Sequence, residues 1–130
     1  MSLLCPIDFR YGRPKMKAVF GEETRLKRLL EVEAALARAQ TKVGRIPREA
    51  AEDIAKHANV RDVTVERVEA LEEETQHDLM AVVLALTEAC KGQGGNYVHL
   101  GATSNDISDT ATAIQLRDAI GILDEDLGGL

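Results

Sequence analysis

The chain has 130 residues, with 16 Lys+Arg against 22 Asp+Glu, so its formal net charge is −6. That balance argues against a basic nucleic-acid-binding face and against a membrane partner held by charge. The longest unbroken apolar run, Leu79 to Leu86, is eight residues, far short of the ~20 that span a bilayer.

Hydrophobic residues make up 45% of the chain but aromatics only 3%. The apolar mass is therefore Ala, Leu, Val and Ile set among Glu, Arg and Lys, mostly strong helix formers, and no stretch alternates with period two. An all-α fold is expected. Leu3 to Phe20 shows no helical period and carries Pro6 and Pro14 around Gly12, which predicts an extended, tied-down arm. A helical period begins at about Gly21. Leu29, Val32, Leu36, Ala39 and Val43 recur at 3-4-3-4 spacing, a seam that must pack against other helices, and Gly44 is placed to end it as the C′ residue. Ile46-Pro47 opens a short helix with proline at the first position and acids behind it, closed near Asn59.

Thr64 is the expected N-cap of a third helix, running to about Glu74 on Val65, Val68 and Leu71. A fourth starts near Thr75 and reaches Cys90. Its middle is apolar all round, which predicts burial on most sides, and Gly92, Gly94 and Gly95 end it in a loop. The last helix starts at Thr103 or Ser104, where Thr103-x-x-Asp106 has the spacing of a capping box. Ala113, Leu116, Ile120, Leu123 and Leu127 give it a second 3-4-3-4 seam. Asp124, Glu125 and Asp126 lie where the helix dipole disfavours acids, so the pattern predicts a chain cut within a longer bundle helix, with Gly128-Gly129 the alternative stop. The expected organisation is a helical domain over 1–105 and the start of a bundle helix over 106–130.

Met1 to Pro6 has neither the length nor the basic start of a secretory signal, so a cytoplasmic chain is expected, with Cys5 and Cys90 as free thiols. Chemistry points first to the histidines. His57 sits in the last turn of the short helix, where the dipole favours a cation, and reads as a solvated residue. His77, within Thr75-Gln76-His77-Asp78 ahead of the most apolar helix, reads either as a capping histidine or as a functional one. His99 opens the densest polar stretch, His99 to Asp106. There Gly101 permits a sharp turn, and Thr103 and Ser104 offer hydroxyls and amides at a helix start, an N-cap or an anion site. A metal set drawn from His77, Asp78, His99 and Asp106 has no recognised ligand spacing, and none is expected.

Taken in order along the chain, Arg10-Tyr11-Gly12, Thr75-Gln76-His77-Asp78 and the string HLGATSNDISDTA at His99 to Ala111 resemble the adenylosuccinate lyase family of the fumarase/aspartase superfamily. The resemblance covers nearly the whole chain and implies the all-α N-terminal helical domain of that superfamily plus the start of its bundle helix. It also implies a β-elimination that splits a carbon–nitrogen bond, turning adenylosuccinate into AMP and fumarate and acting likewise on the succinyl-carboxamide intermediate of purine synthesis. Neither cofactor nor metal is implied.

Residue by residue, Arg10 and Tyr11 match the family's nucleotide-binding pair, Arg suiting bidentate phosphate contacts. Gln76, His77 and Asp78 match a second binding block, and His99 matches a histidine facing the same site. Thr103 and Ser104 suit the donors needed by a carboxylate whose charge grows during proton abstraction. His77 and His99 are expected to bind and orient rather than to start the reaction. The family's general acid, a histidine, and its general base, a serine on a mobile Gly-rich loop, fall beyond position 130, so this stretch alone is expected to be inactive. The implied assembly is a homotetramer with active sites built from three subunits.

Two alternatives stand beside this. The carboxymuconate cycloisomerase-like branch shares a Gly-Ala-Thr-Ser-x-Asp string, and a non-catalytic helical interaction module could be built on the Leu29 to Val43 seam. Such a module gives no reason for His77, His99 and the Thr103-Ser104 turn to occur together.

Overall fold

A computed structural model describes residues 10–129, and every regular element among them is helical. The elements are α1 (Pro14–Val19), α2 (Glu22–Lys42), α3 (Arg48–His57), α4 (Val65–Thr75), α5 (Asp78–Ala89), a short 3₁₀ turn (Gly94–Asn96) and α6 (Ser104–Gly128). No helix among the described residues is long and apolar enough to cross a membrane.

The core forms where α2 and α5 meet the shorter helices. Leu26, Leu29 and Leu30 from α2 pack with Leu79, Val82 and Leu86 from α5, and with Ile54, Val63, Leu71 and Ile107. Helix α5 is buried on most sides, as its unbroken apolar run requires. It runs antiparallel to α4, since Arg67 near the start of α4 holds Glu88 near the end of α5 through two hydrogen bonds of 2.9 and 2.7 Å. Thr64 caps α4 by accepting from the Arg67 N–H at 3.3 Å. Gly44, at φ +73°, ends α2. There the Gly44 and Arg45 amides turn back to the carbonyls of Thr41 and Gln40, the paired bonds of a Schellman ending.

Several sequence expectations shift. The arm is not wholly extended: α1 begins with Pro14 at a first-turn position, where its fixed φ suits a helix and its missing N–H costs nothing. Residues 3–9 of that arm, and Cys5 with them, lie outside the described residues. Pro47 is the N-cap of α3 rather than its first helical residue. Thr75 ends α4 instead of starting α5, because Gln76 adopts a left-handed conformation (φ +53°) that breaks the helix there.

The seam on α2 is also displaced. Leu29 is in the core and Val32 and Leu36 flank it, but Ala39 and Val43 are exposed. The buried face instead runs through Leu26, Leu30, Glu33, Ala37 and Gln40. Two of its members are polar, and a search for apolar repeats passes over them.

Helix α6 has two faces. Ile107, Ala111, Gln115, Ala119 and Ile122 are buried. On this side Gln115 Nε2 donates to the Val19 carbonyl at 2.8 Å, and Asp118 pairs with Arg28 at 2.6 Å. The seam expected from the sequence is the opposite face: Leu116, Ile120, Leu123 and Leu127 are all at least half exposed. The acids near its end have partners, Glu125 with Lys15 and Asp126 with Arg13, so they bind α1 to α6 across the dipole's preference.

Candidate functional site

The corner between α4 and α5 aims His77 at the start of α6. Gln76 turns the chain, and His77 then caps α5, its Nδ1 accepting from the Met80 N–H at 3.2 Å. Asp78 Oδ1 lies 3.8 Å from the same nitrogen, too far for a hydrogen bond, so the Met80 amide claims it. An Nδ1 that accepts leaves the ring proton of neutral His77 on Nε2. That nitrogen lies 3.5 Å from Ser104 Oγ, the first helical residue of α6.

Two helix N-termini therefore face each other across His77 and Ser104, each carrying the positive end of a peptide dipole. The N-cap of α6 is Thr103, whose N–H donates to the Asp106 carboxylate at 2.9 Å. This satisfies one terminal amide and leaves the Ser104 hydroxyl outside the cap. An anionic group would find three kinds of donor here: the His77 Nε2–H, the Ser104 hydroxyl and the first-turn amides.

His99 is held differently. Its Nδ1 lies 2.6 Å from Oε1 of Glu33, a side chain only 1% exposed in the middle of α2. Burial pushes the Glu33 carboxyl above the usual carboxylate range, against the opposing pull of His99. The loop around His99 is clamped at a second point: Gln40 Nε2, also buried, donates to the Leu100 carbonyl. Both His99 (φ +61°) and Gly101 (φ +71°) sit in the left-handed region, which a non-glycine residue adopts only when its surroundings over-determine it.

The remaining predicted residues divide. Asp78 is already engaged, as Arg25 donates to its Oδ2 at 2.6 Å. Burial works to raise the Asp78 carboxyl, but the Leu79 amide and Arg25 outweigh it and hold it below the ordinary range. Gln76 is exposed and turns its Nε2 back to the Glu73 carbonyl at 2.8 Å. Arg10 and Tyr11 are exposed, and among the described residues no hydrogen bond joins them to His77, His99 or Ser104. The structure thus brings together His77 and Ser104 beside the Thr103 cap, and fixes His99 five residues before Ser104.

His57 corrects the sequence reading. It is not a solvated residue but 5% exposed, with Nδ1 2.9 Å from Asp62 Oδ2 and Nε2 3.7 Å from Asp53 Oδ1. Asp53 also accepts from three loop amides, Lys91, Gly92 and Gly94, at 3.3, 2.8 and 3.0 Å. Its role is to tie the glycine loop to α3. Sequence reasoning passed over Glu33, Gln40 and Asp53. For Asp53 a signal existed, its i−4 spacing from His57. For Glu33 and Gln40 the only hint is their shared face seven residues apart. Among the described residues no group of three or more His, Cys, Asp and Glu is placed to hold a metal ion.

The profile of a family described as "Lyase" matches residues 8–130. An adenylosuccinate lyase of Methanocaldococcus jannaschii is 50% identical over 122 residues, covering 94% of this chain and 26% of that protein. One of Pyrococcus abyssi is 54% identical over 122 residues, covering 94% and 27%. The chain thus spans about a quarter of the length of these curated relatives. Among solved structures, a 3-carboxy-cis,cis-muconate lactonizing enzyme from Pseudomonas putida superposes with a TM-score of 0.86 at 32% identity, over 95% of this chain and 29% of that one.

Proposed function

This chain belongs to the lyase family whose profile spans its residues 8–130, and on that premise we propose that it forms the N-terminal part of an adenylosuccinate lyase. The reaction on this reading is elimination of fumarate from adenylosuccinate, giving AMP, and from the succinyl-carboxamide intermediate of purine synthesis, in a cytoplasmic homotetramer. Residues 1–105 form its N-terminal helical domain and 106–130 the start of its bundle helix. Identity of 50% or more to the two archaeal enzymes supports the reading.

One structural observation carries it: the 3.5 Å approach of His77 Nε2 to Ser104 Oγ where two helices begin. Removing a proton next to a carboxylate drives negative charge onto the carboxylate oxygens. Donors fixed in advance around those oxygens stabilise the transition state more than the ground state, and each is worth on the order of 2.7–4 kcal/mol when it acts as an oxyanion-type contact. His77, Ser104 and the α6 amides suit that task. Thr103 holds the helix start in register, and His99 lines the same site. Arg10 and Tyr11 bind the nucleotide phosphate from the arm, and Gln76 and Asp78 flank His77. The groups that take and give the proton are not among these residues. No cofactor or metal enters this chemistry.

The test is a graft in which this chain replaces the matching segment of the Pyrococcus abyssi enzyme. Adenylosuccinate offered to the graft should yield fumarate and AMP. The likeness to the Pseudomonas putida structure favours one second reading, a cycloisomerase-like activity. A folded graft that leaves adenylosuccinate intact, or that turns over 3-carboxy-cis,cis-muconate instead, would overturn the first reading.

A further inference from the structure

Glu33 and Gln40 are polar, buried and seven residues apart on one face of α2. Two helical turns separate them, about 10 Å along the axis. Each spends its polarity on the same short loop, Glu33 on the His99 side chain and Gln40 on the Leu100 carbonyl. Burying a carboxylate without return is costly, so a structural role alone would be served more cheaply by an apolar residue of similar volume. What the carboxylate adds is a direction. It accepts a hydrogen bond from one defined ring nitrogen and fixes which nitrogen carries the proton.

The geometry points to Glu33 as the positioning residue of His99, keeping a proton on Nδ1 so that all proton gain and loss at this side chain occurs at Nε2, the nitrogen left to meet the substrate. Among the described residues no hydrogen bond takes up that Nε2. His77 is the counterpart with the roles reversed. A backbone amide occupies its Nδ1, so neutral His77 presents Nε2–H and can only donate there. The pair offers two different tips to one ligand. His77 presents a fixed donor, suited to an anionic group. His99 presents a nitrogen that accepts from a substrate N–H or O–H when neutral and donates when protonated. The left-handed backbone at His99 fits this role, since a strained residue clamped from below cannot swing its ring away. The assignment of His99 to the substrate rests on the function proposed above; the tautomer does not.

Two measurements test it. In the 130-residue chain labelled with ¹⁵N, long-range histidine spectra above the imidazole titration should give the pyridine-like nitrogen of His99 as Nε2 and that of His77 as Nδ1. Glu33→Gln should scramble the His99 assignment and leave His77 as it was. Finding the His99 proton on Nε2 in the unmodified chain, with Glu33 donating to Nδ1, overturns the inference, and that reading does not depend on whether the variant folds. In the graft, Glu33→Gln should lower kcat on the order of 10- to 100-fold with a smaller change in KM, as when the outer partner of a ligating histidine is removed. Placed on His99→Gln it should add less than about twofold, because the two residues act as a unit. An equal loss with and without His99 overturns the inference while leaving the lyase reading intact. A graft without any turnover removes that reading and leaves the spectra to decide.

Discussion

His57 and His99 are both histidines set against carboxylates, and they do opposite things. His57 has an acid facing each ring nitrogen, Asp62 at 2.9 Å and Asp53 at 3.7 Å, and both acids belong to its own helix or the turn that follows. His99 has one, Glu33, contributed by a helix 66 residues away, and its second nitrogen has no partner among the described residues. Burial does not separate them sharply, since their side chains are 6% and 16% exposed. The useful distinction is what the second ring nitrogen faces, since neither histidine hydrogen-bonds carboxylates through both. A buried histidine whose second nitrogen also lies at ion-pair distance from an acid is a bracket. With one nitrogen fixed and one left over, a histidine can address something else.

That contrast can be broken from either side. The largest effect belongs to the open region. In the graft, Ser104→Ala should lower kcat about 10²- to 10³-fold, the size expected for a lost oxyanion-type donor, with the melting temperature nearly unchanged because the cap is Thr103. Steady-state kinetics within threefold of the unmodified graft would remove Ser104 from the site. On the closed side, a Cβ added at Gly94 would stand 2.7 Å from Asp53 Oδ2 and 3.1 Å from the Ala50 carbonyl. Gly94→Ala should therefore cost up to about 3 kcal/mol of stability by overpacking, with kcat unchanged below the melting transition. Calorimetry showing no loss would mean that the loop rearranges freely.

His57→Gln is a milder cut on the same side, worth about 1 kcal/mol for a net hydrogen bond, again with unaltered kcat. His99→Gln should instead lower kcat, and with it some stability, because it takes from buried Glu33 its hydrogen-bond partner. If His57→Gln slows turnover as much, the bracket reading of His57 is wrong.

The smallest effect is on pH dependence, and the two regions differ in sign. Burial tends to raise Asp53, but the loop amides and His57 outweigh it and hold it below the usual range. Asn59 and His57 lower Asp62. Both therefore bind protons more readily unfolded than folded, so their contribution is present above the ordinary Asp range and is lost as pH falls through it. Glu33, raised chiefly by burial, binds its proton more readily in the fold, so its contribution falls as pH rises from the ordinary Glu value to its own. Denaturation series should show Asp62→Asn flattening the acid limb and Glu33→Gln flattening the decline above the ordinary Glu range. Identical curves for Asp62→Asn and the unmodified chain would deny Asp62 its part.

Much of the scaffold was legible in the sequence because its signals are local. The apolar run of α5, Thr64 as a cap, Thr103-x-x-Asp106 and Gly44 each depend on residues within a turn or two. The displaced face of α2 was not, because Glu33 and Gln40 are buried only by virtue of partners 66 and 60 residues further on. A polar residue carries no mark that distinguishes a solvated position from a satisfied one. The helix in the arm was missed for a different reason. Two prolines and a glycine read as extended chain, although proline at a first helical turn is favourable. At the site, His77 was left open between cap and function; the cap is seen at Nδ1, and Nε2 is left facing Ser104.

Helix α1 is tethered unequally at its two ends. At Val19 the Gln115 side chain holds it from the buried face of α6, out of reach of dissolved ions. At Arg13 and Lys15 it hangs on exposed ion pairs to Asp126 and Glu125. Pairs so exposed contribute little to stability, and salt screens them over a Debye length of ~8 Å at physiological strength. Raising the ionic strength therefore loosens α1 like a leash from its leading end. Gly12, at φ +88°, is the swivel next to that end, and what swings on it is Arg10-Tyr11.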